Sequence, residues 1–296
     1  MPALTPLTAV RSLRRAPTLA IACAATLAIG VGATTAIFTV LDGALLRPLP
    51  FADPSSLVGA WMSFPAMGFN VAPQSLATYF TFKRLSHSIE AIAVFDRSSV
   101  NVADARGEAK PSRVNATLTT ASLFSILGMP MERGRPFTDA EDVPPGAPVV
   151  VISDGLWRTQ FGADAGVIGR KVQVDGLERE IIGVTRRDFQ YPDAVTQLWI
   201  PMALDSASAF TGAFGHQGIV RLKPGVTLAA AQREFRALLP RAAELYPNIA
   251  PGMPMAGFLA QTHATVVLHP LREDIIGNFG NVAWIAGAAG VLLLLV

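Results

Sequence analysis

Hydrophobic positions in this chain crowd into two uninterrupted runs near its ends, with a mixed, periodic stretch between them. From Ala16 to Leu41 there are 26 residues without a formal charge, bounded by Arg15 and Asp42. About 20 such residues suffice to cross roughly 30 Å of hydrocarbon as a helix. The pattern therefore predicts a transmembrane helix over 16–41, with Pro17 suited to its first turn. At the other end no charge follows Asp274, and the chain closes on GAAGVLLLLV. The 15 residues from Val282 would make a helix of roughly 22 Å, too short to span. They are read as the start, at 282–296, of a second transmembrane helix in a longer protein.

Between these runs the periods of two and of 3.6 residues alternate. Leu57 to Met62 predicts a strand, and Ser75 caps a helix LATYFTFKRL that places Leu76, Phe80 and Arg84 on one face. Ala91 to Val102 and Arg113 to Thr117 read as strands, and Ala121 to Leu127 as a short helix stopped by Gly128 and Pro130. Glu132 to Pro148, with its prolines and clustered charges, predicts a loop. Beyond it PVVVISDGLWRTQFG reads as a buried strand running into a helix, and Asp175-Gly176 marks a hairpin. Leu198 to Met202 predicts an edge strand because it contains Pro201. After a Ser-, Ala- and Gly-rich break at 205–218 come a strand at Ile219 to Leu222, a turn at Lys223-Pro224-Gly225 and a helix capped by Thr227. That helix aligns Leu228, Ala231, Phe235, Leu238, Ala242 and Leu245, with Pro240 expected to kink it. Thr262 to His269 alternates weakly. Strand–helix–strand, an insert, then strand–helix–strand predicts an α+β domain: a split α/β subdomain with a β-rich subdomain inserted at about 130–212.

Composition sharpens the membrane reading. The chain is 51% hydrophobic and 16% charged, against about 25% charged in typical soluble domains. Its net charge of +2 is unevenly spread. Arg11, Arg14 and Arg15 form a basic arm at 1–15, leaving 21 basic against 22 acidic side chains for the rest. Arginines before the first run and none directly after it put the N-terminus in the cytoplasm and the domain at 50–275 outside. A cleaved signal peptide is the other reading of this segment, but its apolar core spans only about 7–15 residues, and no clear A-x-A site precedes Asp42. Ala20, Ala24, Ala28, Gly32 and Ala36 form a small-residue row compatible with close helix packing, in a segment already rich in small residues. The one cysteine, Cys23, lies in that run, so a disulfide within the chain is ruled out. A near-neutral outer domain offers no electrostatic footprint for nucleic acid.

Candidate chemistry is sparse. None of Lys83, Lys110, Lys171 and Lys223 ends a G-x-x-x-x-G-K-[ST] loop, so no nucleotide site of that type is present. Of His87, His216, His263 and His269, the last two are an even six residues apart and could share a strand face. No cysteine or paired carboxylate accompanies them at metal-ligand spacing. Ser153-Asp154-Gly155 lacks the preceding glycine of a nucleophile elbow, and Ser153 reads as a helix cap. Glu141-Asp142 and Glu273-Asp274 are adjacent pairs, read as solvated rather than as an acid/base couple. Asn115-Ala116-Thr117 fits a glycosylation sequon, a pattern short enough to recur by chance. The expectation is a protein that is not an enzyme, with no catalytic, cofactor-binding or metal-ligating residues.

Four segments, in order, resemble the MacB/FtsX-type ABC transporter permeases, especially the large duplicated permeases of that group. They are LAIGVGATTAIFTVLDGALLRPLPFADPSSLV (Leu27 to Val58), RGRPFTDAED (Arg133 to Asp142), VVVISDGLWRTQFGADAGVIGRKVQVDG (Val149 to Gly176) and VRLKPGVTLAAAQ (Val220 to Gln232), the last followed by Tyr246-Pro247. The resemblance implies a MacB-like periplasmic core domain at 50–275, flanked by transmembrane helices in the inner membrane. It also implies an export or mechanotransmission role and a cytoplasmic ABC ATPase as partner. A homodimeric complete permease, contact with membrane lipids and a periplasmic adaptor or substrate protein are further implications. The family carries no catalytic residues in this domain. The alternative reading is a membrane-anchored extracytoplasmic binding or scaffold module; an anchored hydrolase, testable by ester or peptide hydrolysis lost in Ser153→Ala, is a third.

Overall fold

The computed structural model describes residues 49–104, 111–207, 212–250 and 252–276, with scattered positions between 17 and 35. The chain divides into two units, Leu49–Ile275 and the two flanks, residues 1–48 with 276–296. Of the flanks, the described positions between 17 and 35 are helical. The basic arm, most of the 16–41 span and all of 282–296 lie outside the described residues. Among the described residues no helix is long and apolar enough to cross a membrane.

Leu49–Ile275 is built on a 12-stranded sheet. Its strands are β1 (Leu57–Phe64), β2 (Phe69–Ala72), β3 (Gln74–Ser75), β4 (Ile89–Asp104), β5 (Ser112–Thr119), β6 (Met131–Gly134), β7 (Val149–Ile152), β8 (Lys171–Val174), β9 (Leu177–Thr185), β10 (Leu198–Pro201), β11 (Phe214–Leu222) and β12 (Thr265–Pro270). The helices are α1 (Leu76–Leu85), α2 (Ser122–Leu127), α3 (Asp154–Phe161), α4 (Leu228–Leu245), α5 (Met255–Gln261) and α6 (Leu271–Ile276). The main path runs β12-β1-β11-β4-β5-β10-β7-β9-β6, with β2 on β1, β3 on β11 and β8 between β4 and β9. Among the described residues only the β10–β5 and β7–β9 pairs are parallel.

Both faces of this sheet carry helices. Side chains alternate along a strand, and in β1 Leu57 enters one core while Val58, Ala60 and Met62 enter another. One face carries α1 and α4 over Val94 and Val220, and further along it α3 over Val114, Val150 and Ile152. The sixteen-residue β4 runs beneath both. The opposite face meets α2 and a group of rings, Phe124, Phe189 and Trp199, packed edge to face or tilted.

The caps fall where the hydroxyls predicted them. Ser75 Oγ accepts from Thr78 N, Ser153 Oγ from Leu156 N, and Thr227 Oγ1 from Ala230 N. The Asp175-Gly176 turn joins β8 to β9 with both residues at positive φ, as a tight hairpin turn of the mirror-image type requires.

Several expectations change. β10 is not an edge strand: it lies between β5 and β7, fully buried. Pro201 is tolerated because it is the last residue of the strand, and the next N–H, of Met202, resumes the bonding to Thr119 O at 3.0 Å. The segment 132–148 is not all loop, since β6 pairs with β9 and a 3-10 turn occupies Asp139–Asp142. On α1, Leu76 and Phe80 are half-buried, while Tyr79 and Phe82 fill the core. On α4, Leu239 takes the core place expected of Leu238, and Leu245 is exposed. The helix continues through Pro240.

Candidate functional site

The unit Leu49–Ile275 receives and releases the chain at one corner. β1 begins at Leu57, β12 ends at Pro270, and the two are antiparallel neighbours with Val58 opposite Pro270. The incoming segment 49–56 and the outgoing helix α6 therefore adjoin. Leu49, Phe51, Leu57 and Leu271 join the same apolar cluster.

The incoming segment is held by a buried arginine. Arg221 stands opposite Leu57 on β11 and is only 8% exposed. Its Nε donates to Ile126 O at 2.8 Å, Nη1 to Ser56 Oγ at 2.7 Å, and Nη2 to Ala52 O at 2.7 Å and again to Ile126 O. One guanidinium thus ties the segment before β1 to the last turn of α2. Ala52 N adds a bond to Leu127 O at 3.1 Å. Close approach here depends on Gly128, at φ +63°: a Cβ would stand 2.6 Å from that of Ala52. Before β1, Asp53 adopts φ 40°, and bonds from the Ser55 and Ser56 hydroxyls hold its carboxyl below the usual range.

The outgoing helix is held by a carboxylate. Trp61 Nε1 lies 3.0 and 2.9 Å from the two oxygens of Asp274, and His269 Nδ1 lies 2.8 Å from Oδ1. Indole and imidazole stack with centroids 6.3 Å apart and planes 13° from parallel. Asp274 lies directly over Gly59, where a Cβ would fall 1.5 Å from Oδ2. The adjacent carboxylate raises the pKa of His269 above its ordinary 6.5, against the opposing effect of burial. This cluster binds a helix to a strand; it contains no nucleophile beside a base.

The residues singled out in the sequence are scattered. Ser153 is a cap, His263 sits in a turn at φ 53° before β12, and it does not share a strand face with His269. His216 Nδ1 is 2.8 Å from Asp96 Oδ2 on β4. Among the described residues no three His, Cys, Asp or Glu side chains gather as a metal site. The acidic pairs are not simply solvated. Glu141 forms a two-pronged bond with Arg135, which brings its carboxyl down to about 2. Half-buried Asp142 accepts from Ala121 N and Ala203 N, both at 2.8 Å. Sequence reading missed Arg221 and took Asp274, in the Glu273-Asp274 pair, as solvated. A charged residue inside the apolar IVRL run was the available signal for the first; the second had none.

The fold and this corner define a class: an α+β domain whose two ends emerge together, suited to being carried on two neighbouring segments. Residues 20–238 match the MacB-like periplasmic core domain family, and the chain belongs to that family. It is 31% identical over 120 residues to the macrolide export ATP-binding/permease protein MacB of Burkholderia cenocepacia, covering 40% of this chain and 18% of that protein. The protein of the same name from Shigella dysenteriae is 25% identical over 127 residues, covering 42% and 19%. The chain's match thus spans about a fifth of these relatives' length. In fold it resembles the crystal structure of the periplasmic region of MacB from Actinobacillus actinomycetemcomitans, with a TM-score of 0.52 and 15% identity over 77% of this chain and 94% of that one.

Proposed function

We propose that this chain is the outer domain and first membrane segment of an ABC-type permease that relays ATPase-driven motion across the inner membrane, for export or for control of a periplasmic partner. The observation that carries the reading is the shared corner: β1 and β12 are neighbours, and each chain end is locked to the sheet by its own polar clamp. A domain so tethered turns relative movement of two membrane helices into movement of one stiff body. The membership of the family and the likeness to export permeases support the same reading. In it the N-terminus is cytoplasmic, the domain faces the periplasm, a cytoplasmic ABC ATPase supplies energy, and two copies make the working permease with a periplasmic adaptor or substrate protein.

The test is purification of the protein from native membranes, followed by assay of the complex. Co-purification with an ABC ATPase is expected, and Arg221→Met combined with Asp274→Asn should lower ATP-driven export severalfold while ATP hydrolysis persists. Recovery with periplasmic proteins alone, and no ATPase, would overturn the relay and favour an anchored binding module.

A further inference from the structure

A second feature lies away from the corner, on the sheet face shared by α1, α4 and α3. Between the two helix-covered areas the face stays open, forming a cavity of about 520 Å³. Its floor is Val100, Leu118, Val174 and Ile200, from β4, β5, β8 and β10. The turn Pro145–Pro148, residues 201–203 and the β8–β9 hairpin, with Arg179, complete its lining. This size suits a small molecule, and the lining offers polar as well as apolar groups to hold one.

The charges around it are unequal. Asp175 accepts from the backbone N–H and side-chain amide of Asn101, at 2.8 and 3.1 Å. Glu178 is paired with Lys171 at 2.6 Å. Arg179 has no counterpart among the described residues: its Nε is buried without a hydrogen-bond partner, and burial alone shifts its pKa, downward. A guanidinium partly withdrawn from water with no anion beside it is costly, and a fork of N–H donors matches a carboxylate. Nearby Asp96, which stands opposite Leu118 in the sheet, is already held by His216.

We infer that this cavity binds a small amphipathic carboxylate, its apolar body on the floor of Val100, Leu118 and Ile200 and its carboxylate on Arg179. The inference is independent of the relay, since it uses neither clamp.

The test uses the full chain in lipid nanodiscs, titrated calorimetrically with 4-phenylbutyrate and with its uncharged amide, empty nanodiscs serving as blank. Saturable binding of the carboxylate is expected, at least tenfold tighter than the amide. Arg179→Met should remove that preference, and Arg179→Lys should keep part of it. Equal binding of acid and amide by the unaltered protein, or no saturable binding of either, would overturn the site. That comparison holds even if an arginine variant fails to fold. An Arg179→Met chain that folds and still prefers the acid would overturn the assignment equally.

Discussion

Arg221 concentrates much of the corner's energetics in one side chain. Its charge is matched by carbonyl oxygens and a hydroxyl rather than by a carboxylate, so Arg221→Met strands the buried acceptor at Ile126 and a part-buried one at Ala52. Such unsatisfied groups cost about 1–3 kcal/mol, and urea unfolding should show a loss of that size. Asp274 behaves differently because one partner titrates. His269 has a raised pKa, so the interaction contributes fully below about 6.5 and fades as pH rises through the raised value. NMR titration should therefore find the His269 midpoint above 6.5, moving back toward it in Asp274→Asn. Gly59→Ala should shift the midpoint the same way, because a Cβ there displaces the carboxylate without touching its charge. An unchanged midpoint in both variants would deny the contact.

Among the elements, α4 shows how one carboxylate fixes a helix to its neighbour. Glu234 accepts from the N–H of His87 and from both the N–H and hydroxyl of Ser88, with Ser86 Oγ at 2.7 Å, so the turn after α1 closes around it. Burial opposes its charge, but these donors prevail and bring the carboxyl to about 2. The sign is opposite to that of His269: the contribution is complete above about 4.5 and is lost as pH falls toward 2. Glu234→Ala should cost about 1–2 kcal/mol at neutral pH. It should also flatten the acid limb of the stability profile, measured by denaturant midpoint between pH 5 and 2. The element boundaries were largely legible from Ser75, Ser153, Thr227 and Gly128, since caps act within one turn. The position of β10 was not: its Pro201 suggested an edge, whereas its four buried positions belong to an interior strand.

For the molecule as a whole, the corner sets how load is borne. Two antiparallel neighbours pulled apart from the same end yield one hydrogen bond at a time, a weak geometry. Side chains that bind each end before the load reaches the β1–β12 ladder are therefore the main resistance. Pulling between residues 49 and 275 with optical tweezers should show a lower unfolding force for Arg221→Met and for Asp274→Asn. Thr227→Ala, which removes a cap on α4 at similar thermodynamic cost of about 1 kcal/mol, should leave that force nearly unchanged. Equal effects of all three would mean that the clamps add stability without bearing load.

The sequence by itself determined the class of the domain, its helix caps and hairpin, and the family, because periodicity, caps and turns are written in residues close along the chain. It also identified two long apolar runs, which follow from the order of apolar residues alone. Tertiary structure decided what lies beside what: Arg221 against Ala52 and Ile126, Asp274 over Gly59, Arg179 at a cavity between two helix-covered areas. These pairings join residues as far as 169 and 213 positions apart. Nothing local marks such partners, because whether a charge is clamped, solvated or left open depends on which strands the sheet sets next to one another.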